Sequence, residues 1–256
     1  VKVACVFAHQ DDEMRCLGTL QLLRDAGHAI SFVCLTSGDK GLPFTENGGG
    51  DAASDIRQAE MTAVAREFGA DYTCLNREDG FLTDDPGLRR ELIAVLRSCR
   101  AELVFTHWTS DYNSDHVVTA RAVTDAALFT SLGSFEPASA PLPFPPRIFY
   151  VSPGDGYGFE ATHFVPLSEA DMAVKTMRIR LHRSQMGVLK QLRGRDYADE
   201  MTDEDRRQGT RLTVPYAEAF RPCLAERRIP WPGDLPAGQL PAGQLPAGQV
   251  PAGDDR

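Results

Sequence analysis

Residues 1–8, VKVACVFA, are apolar at every position but Lys2, and they run directly into His9-Gln10-Asp11-Asp12-Glu13. A nearly unbroken apolar run predicts a strand covered on both faces. The stretch 16–26 reads as a helix closed by Gly27. AISFVCLT (29–36) is a second strand, followed by a Gly-rich loop from Ser37 to about Ala53. Ser54 reads as the N-cap of DIRQAEMTAVAREF, closed by Gly69. DYTCLN is a third strand, and PGLRRELIAVLRSC a third helix started by Pro86. ELVFTHW and SDHVVTARAVTDAALF continue the alternation as fourth strand and fourth helix. Strand and helix in this rhythm predict a parallel sheet with right-handed crossovers.

The second half is less regular. RIFYVS reads as a strand, residues 168–192 as one long helix, and the acidic, Arg-rich stretch 194–211 as an exposed loop. PYAEAFRP returns to the body of the domain. The expected fold is α/β and Rossmann-like, a mostly parallel sheet flanked by helices with a less regular C-terminal part. One domain spans residues 1–222. Residues 223–256 are an extended segment whose PAGQL repeats have almost nothing to bury and are expected to be disordered.

Composition narrows the function. The 256 residues are 42% hydrophobic and 25% charged, which suits a globular chain with a sizeable core. The formal net charge of -9 argues against nucleic acid or an anionic membrane surface as main partner. No apolar run approaches membrane-spanning length, and the first residues resemble a strand rather than a signal peptide. A cytoplasmic location is the default, and a homo-oligomer is compatible with everything above. The six cysteines form no CxxC pair and read as reduced thiols.

Three adjacent acids repel one another, and a plain turn would use Gly, Pro or Asn instead. A local positive charge would justify the cluster. In parallel α/β sheets ligands bind beyond the carboxyl ends of the strands. His9, Asp11 and Asp12 lie just past the first strand; Asp111, Asn113, Asp115 and His116 lie past the fourth. Imidazole and carboxylate are good zinc ligands, and a catalytic zinc keeps three protein ligands and a water. His9, Asp12 and His116 make such a set, one Zn2+ per chain, with another divalent metal as the alternative. Asp11 is then free to act as general base.

At these residues the chain resembles the PIG-L, or LmbE-like, family of zinc-dependent de-N-acetylases. Its AHPDDE signature reads AHQDDE here, and its D-x-H-x-D-H signature reads Asp111-Tyr112-Asn113-Ser114-Asp115-His116. Further matches are Gly18-Thr19, the TSG after the second strand, Arg57 with Glu60, Asp79, HRSQ (182–185) and AEAF (217–220). The resemblance spans about residues 2–222. It implies the same metal ligands and base, and substrate contacts at Arg57 and Asp79. Asp111 joins them, with helix N-capping as its alternative role. Asp115 is expected to orient a neighbouring histidine or Asn113.

Two departures stand out. Gln10 replaces the usual Pro, which should loosen the turn. Asn113 replaces a His that is thought to stabilise the oxyanion or protonate the leaving amine; Asn can donate a hydrogen bond but transfers no proton at neutral pH. The function implied is removal of an acetyl or other short acyl group from an N-acylated amino sugar or glycosylated small molecule. The alternatives are an amidase acting on a thiol-sugar conjugate, and a catalytically weakened sugar-binding member. The magnesium pocket of receiver domains also places two acids after a first strand, but the chain is about twice too long for it and His9 and His116 would have no role there. His182 reads as a packed or capping helix residue, His107 as structural though close to the site, and the loop at 37–53 as a lid over the site, with a long surface loop as the alternative.

Overall fold

The computed structural model describes residues 1–43, 49–136, 138–154, 156–225 and 229. β1 (Lys2–Phe7), β2 (Ala29–Thr36), β3 (Asp71–Arg77), β4 (Leu103–Thr106), β5 (Arg147–Val151), β6 (His163–Leu167) and β7 (Tyr216–Pro222) form one sheet in the order β3-β2-β1-β4-β5-β7-β6. β1 to β5 pair in parallel, and β7 runs antiparallel to both β5 and β6. The helices are α1 (Leu17–Asp25), α2 (Asp51–Phe68), α3 (Pro86–Ser98), α4 (Ser114–Phe129), α5 (Glu169–Ile179), α6 (Arg183–Arg193) and α7 (Tyr197–Thr210).

The apolar run of β1 has a direct cause. Successive side chains point to opposite faces of a sheet. Val3, Cys5 and Phe7 pack with residues of α1, α2, α5 and α7 on one face. Ala4 and Val6 pack with α3 and α4 on the other. Neither face of β1 meets water, so no polar alternation survives. The chain builds β2 and β3 on one side of β1, then crosses back to place β4 and β5 on the other. The loops leaving β1 and β4 therefore diverge at the carboxyl edge and open a crevice between them.

Several sequence expectations fail in instructive ways. The long helix expected over 168–192 is two helices, broken at Arg180–His182. No Gly or Pro marks the break; long-range hydrogen bonds from His182 and Ser184 pull the chain out of line. The loop expected over 194–211 is largely α7. Its inward face holds Tyr197, Ala198 and Met201 but also the buried carboxylates Glu204 and Asp205, which break the apolar periodicity that marks a helix. The second helix starts at Asp51 with Gly50 as N-cap, not at Ser54. β6 was not expected: it is short and contains Pro166, which an edge strand tolerates.

Buried side chains continue past residue 222, since Cys223 and Ile229 both pack in the core. The PAGQL repeats, and residues 44–48 of the expected lid, lie outside the described residues. Among the described residues no helix is long and apolar enough to cross a membrane, and all six cysteines are free.

Candidate metal centre

The loop leaving β1 is held on its outer side by Gln10. This side chain is fully buried, and its amide donates to the Thr36 carbonyl at 2.9 Å and to the Tyr72 hydroxyl at 3.2 Å. The expected loosening at this position is therefore replaced by a tether to β2 and β3. The loop from β4 closes from the other side. Asn113 caps α4, its Oδ1 accepting the Asp115 N–H at 2.9 Å.

These two loops bring the expected ligands together. His9 Nδ1 lies 3.2 Å from Asp12 Oδ2, His116 Nε2 lies 3.2 Å from Asp12 Oδ1, and the two imidazole nitrogens lie 3.3 Å apart. The opposite edge of each ring is anchored by carboxylates. His9 Nε2 sits 3.1 Å from Asp79 and 3.3 Å from Asp115, while His116 Nδ1 sits 3.2 Å from Asp111. A ring that donates its N–H to an outer carboxylate turns a lone pair inward. With both rings neutral, the inward atoms would be two imidazole lone pairs and a carboxylate, acceptors that need a shared positive charge.

A tetrahedral zinc with bonds of about 2.0–2.1 Å sets its ligand atoms about 3.3–3.4 Å apart. The two imidazole nitrogens are spaced close to that, and one ligand atom from each of His9, Asp12 and His116 lies within 4.8 Å of the others, so the residues present fit a divalent cation. Electrostatics agree. Burial opposes a charge on His9, yet Asp12, Asp115 and Asp79 outweigh it and hold the imidazole well above its usual range. Burial likewise opposes charge on His116, but Asp12 and Asp111 carry it to about 9. Burial favours a neutral Asp12, and His116, His107 and His9 overcome this to drive it well below the carboxylate range. The cluster demands positive charge, from protons or from a metal ion.

Asp115 is wholly buried. Its carboxylate also accepts N–H bonds from Gly80 at 2.7 Å and Leu82 at 3.2 Å. It thus ties the loop after β3 to the ring of His9. Asp79, in that loop, has its own N–H held by Asp39 at 2.9 Å. Arg57 is only 4% exposed. Its guanidinium donates to the Gln10 carbonyl and to Asp11 Oδ1, the latter at 2.9 Å, and lies 3.9 Å from Asp79. Arg57, Asp79 and Asp111 therefore all contact Asp11 or the imidazoles of His9 and His116 from behind. Burial lifts Asp11 to about 6 against the pull of Arg57.

Other residues at the site were given no role there by the sequence. His107 stacks on His116 with ring centres 3.9 Å apart, and its Nε2 accepts the Ala8 N–H at 3.0 Å. Burial, with the charge of His116, lowers it to about 4. Neutral and with that lone pair engaged, it braces the ring of His116. Only its place at the end of β4 hinted at this. Glu13 and His182, far apart in the chain, meet at 2.6 Å; no local pattern joins them. Tyr112 stands edge-on to His116 at 5.6 Å. It also lines a polar cavity of about 370 Å³ with Arg15, Arg193, Glu200, Glu204 and Arg207.

Comparison with known proteins agrees with this arrangement. Residues 4–127 match the family profile of PIG-L, described as GlcNAc-PI de-N-acetylase. The diacetylchitobiose deacetylase of Thermococcus kodakarensis is 27% identical over 193 residues, covering 72% of this chain and 70% of that protein. The crystal structure of the conserved protein TT1542 from Thermus thermophilus superposes with a TM-score of 0.74 at 27% identity, over 90% of this chain and 98% of that one. The N,N'-diacetylchitobiose deacetylase from Pyrococcus horikoshii, complexed with its inhibitor MPG, shares the fold with a TM-score of 0.75 at 24% identity, over 86% and 83% of the two chains. With both signature loops converging on one cluster at the sheet's carboxyl edge, the chain is similar to the PIG-L family over residues 4–127.

Proposed function

We propose that the protein is a zinc-dependent amide hydrolase that removes an acetyl or other short acyl group from an N-acylated amino sugar or glycosylated small molecule. The observation that carries this reading is the cluster of candidate ligand atoms on His9, Asp12 and His116, with Asp11 beside it. The deacetylase relatives support the reaction class. His9, Asp12 and His116 would hold the cation, which supplies the positive charge that acidifies a water and withdraws electrons from the amide carbonyl.

The chain's own groups do the rest. Asp11, raised to about 6, takes a proton from the attacking water and releases it to the departing amine. Arg57 fixes one oxygen of Asp11, leaving the other for proton transfer. Asn113 has its amide oxygen engaged by the Asp115 N–H, so its NH2 is the end available to a substrate oxygen. It can donate there without transferring a proton, which leaves both proton steps with Asp11. The polar cavity beyond Tyr112 mixes guanidinium and carboxylate groups. Such a lining suits a hydroxyl-rich unit attached to the reacting sugar.

The test is metal content and turnover together. Elemental analysis after dialysis is expected to find about one zinc per chain in the wild type, and none in Asp12→Ala or His116→Ala. Acetate release is then measured on N-acetylglucosamine and N,N'-diacetylchitobiose. A wild type that stays empty after zinc is added back removes the hydrolase reading. A zinc-loaded wild type that binds these sugars without releasing acetate favours the second reading, a weakened sugar-binding member, for which Asn113 is the motive. Varying the acyl group separates a deacetylase from an amidase on thiol-sugar conjugates.

A further inference from the structure

The HRSQ segment touches neither the candidate ligand atoms of His9, Asp12 and His116 nor the cavity, yet His182 and Ser184 reach toward Asp11 by different routes. His182, 0% exposed at the start of α6, places Nε2 2.6 Å from Glu13 Oε1. The other oxygen of Glu13 accepts the Asp11 N–H at 3.0 Å. Ser184 donates its N–H and its hydroxyl to Glu60, at 2.8 and 2.7 Å. Gln185 donates to the Gly41 carbonyl at 2.9 Å. Glu60 lies on α2 one turn beyond Arg57, the residue that grips the Gln10 carbonyl and the Asp11 carboxylate.

Asp11 needs such support. Its φ of 116° lies in the left-handed region that favours glycine, and the turn contains no glycine to adopt it. Two outside groups define this backbone: Glu13 holds the N–H of Asp11, and Arg57 holds the carbonyl just before it. One four-residue segment about 170 positions down the chain bonds Glu13 directly, through His182, and through Ser184 bonds Glu60 on the helix that carries Arg57. The same requirement explains why the expected long helix breaks at His182: a continuous helix would carry His182 and Ser184 past their partners.

Resting on the hydrolase reading above, we infer that His182–Gln185 is a positioning clamp for Asp11, with His182 acting through Glu13 and Ser184 through α2 and Arg57. It sets the direction of the general base without touching cation or substrate. The variants His182→Ala, His182→Gln and Ser184→Ala separate this from a merely structural role. His182→Ala is expected to keep its zinc and its fold while kcat falls roughly a hundredfold and KM hardly moves, the effect of displacing a reacting group by about an ångström. His182→Gln, whose amide can still donate to Glu13, is expected to recover most of that loss. Ser184→Ala, which keeps the backbone hydrogen bond to Glu60, is the milder probe should His182→Ala fail to fold.

A readout independent of turnover is the Asp11 amide proton, followed by NMR in zinc-loaded protein. In the wild type it is expected downfield, bonded to a carboxylate; in His182→Ala it moves upfield. If the wild type turns over no N-acetyl sugar, the hydrolase reading fails, and the amide alone decides the clamp. An Asp11 amide unmoved in folded His182→Ala overturns the clamp, as does an unchanged kcat in a catalytically active protein.

Discussion

Two of the buried polar clusters among the described residues have opposite characters. Around Lys175 every demand is met internally. Its ammonium lies 2.5 Å from Asp205 and 2.6 Å from Glu218. Glu218 in turn accepts the N–H groups of Gly18 and Thr19 at 2.8 and 2.7 Å, neutralising the start of α1. Around His9 the outer edges also face carboxylates, but the inner atoms of His9, Asp12 and His116 crowd one another and are reconciled only by added protons or a cation. One cluster is finished by the chain itself, joining α1, α5, α7 and β7. The other is finished only by something the chain does not encode. Burial, charge and hydrogen bonding are common to both; unmet demand at the centre distinguishes a site from a structural joint.

The sharpest way to break this contrast is to damage the finished cluster. Lys175→Met leaves two carboxylates buried without their cation and should destabilise the protein by about 3–5 kcal/mol in urea unfolding. Zinc stoichiometry of the folded fraction should stay at the wild-type value; a parallel loss of zinc would mean the clusters are one unit. Second, Asp11→Asn should lower turnover by about a thousandfold, the scale of a lost general base, while elemental analysis still finds zinc. Third, zinc at about a hundred times its dissociation constant should stabilise the wild type by about 2.7 kcal/mol in a thermal melt, and should not stabilise His116→Ala. The smallest effect belongs to Gln10→Ala. Removing its buried hydrogen bonds should lower stability by about 1–3 kcal/mol with zinc retained.

The first half of the fold and both site loops are legible in the sequence because their signals are local. VKVACVFA announces a doubly covered strand, and AHQDDE follows directly from its end. His9, Asp12 and His116 could be proposed as a set because the ends of parallel strands share an edge. What stayed hidden depends on partners far along the chain. Glu204 and Asp205 disguised α7 as a loop, since nothing nearby reveals that Arg15 and Lys175 wait for them. His182 read as an ordinary helix residue because Glu13 is 169 positions away. Arg57 and Asp111 look like surface residues by type. Only the fold reveals that they face Asp11 and His116 from within. The motif residues Gly18-Thr19 and AEAF were recognisable separately; that Glu218 joins them is visible only in three dimensions.

The split of the ligand set between β1 and β4 also has a kinetic consequence. These strands lie side by side, pairing Val3 with Leu103 and Cys5 with Phe105, yet β2, β3 and their helices separate them in the chain. Contacts of such long sequence separation form slowly. A nascent or refolding chain can offer only His9 and Asp12 from one short turn, a poor grip on any ion, until β4 has docked. If the proposed zinc site holds, zinc uptake during refolding would run on the clock of sheet assembly, and a chain that had captured zinc would already have completed the half of the fold that the proposed reaction needs.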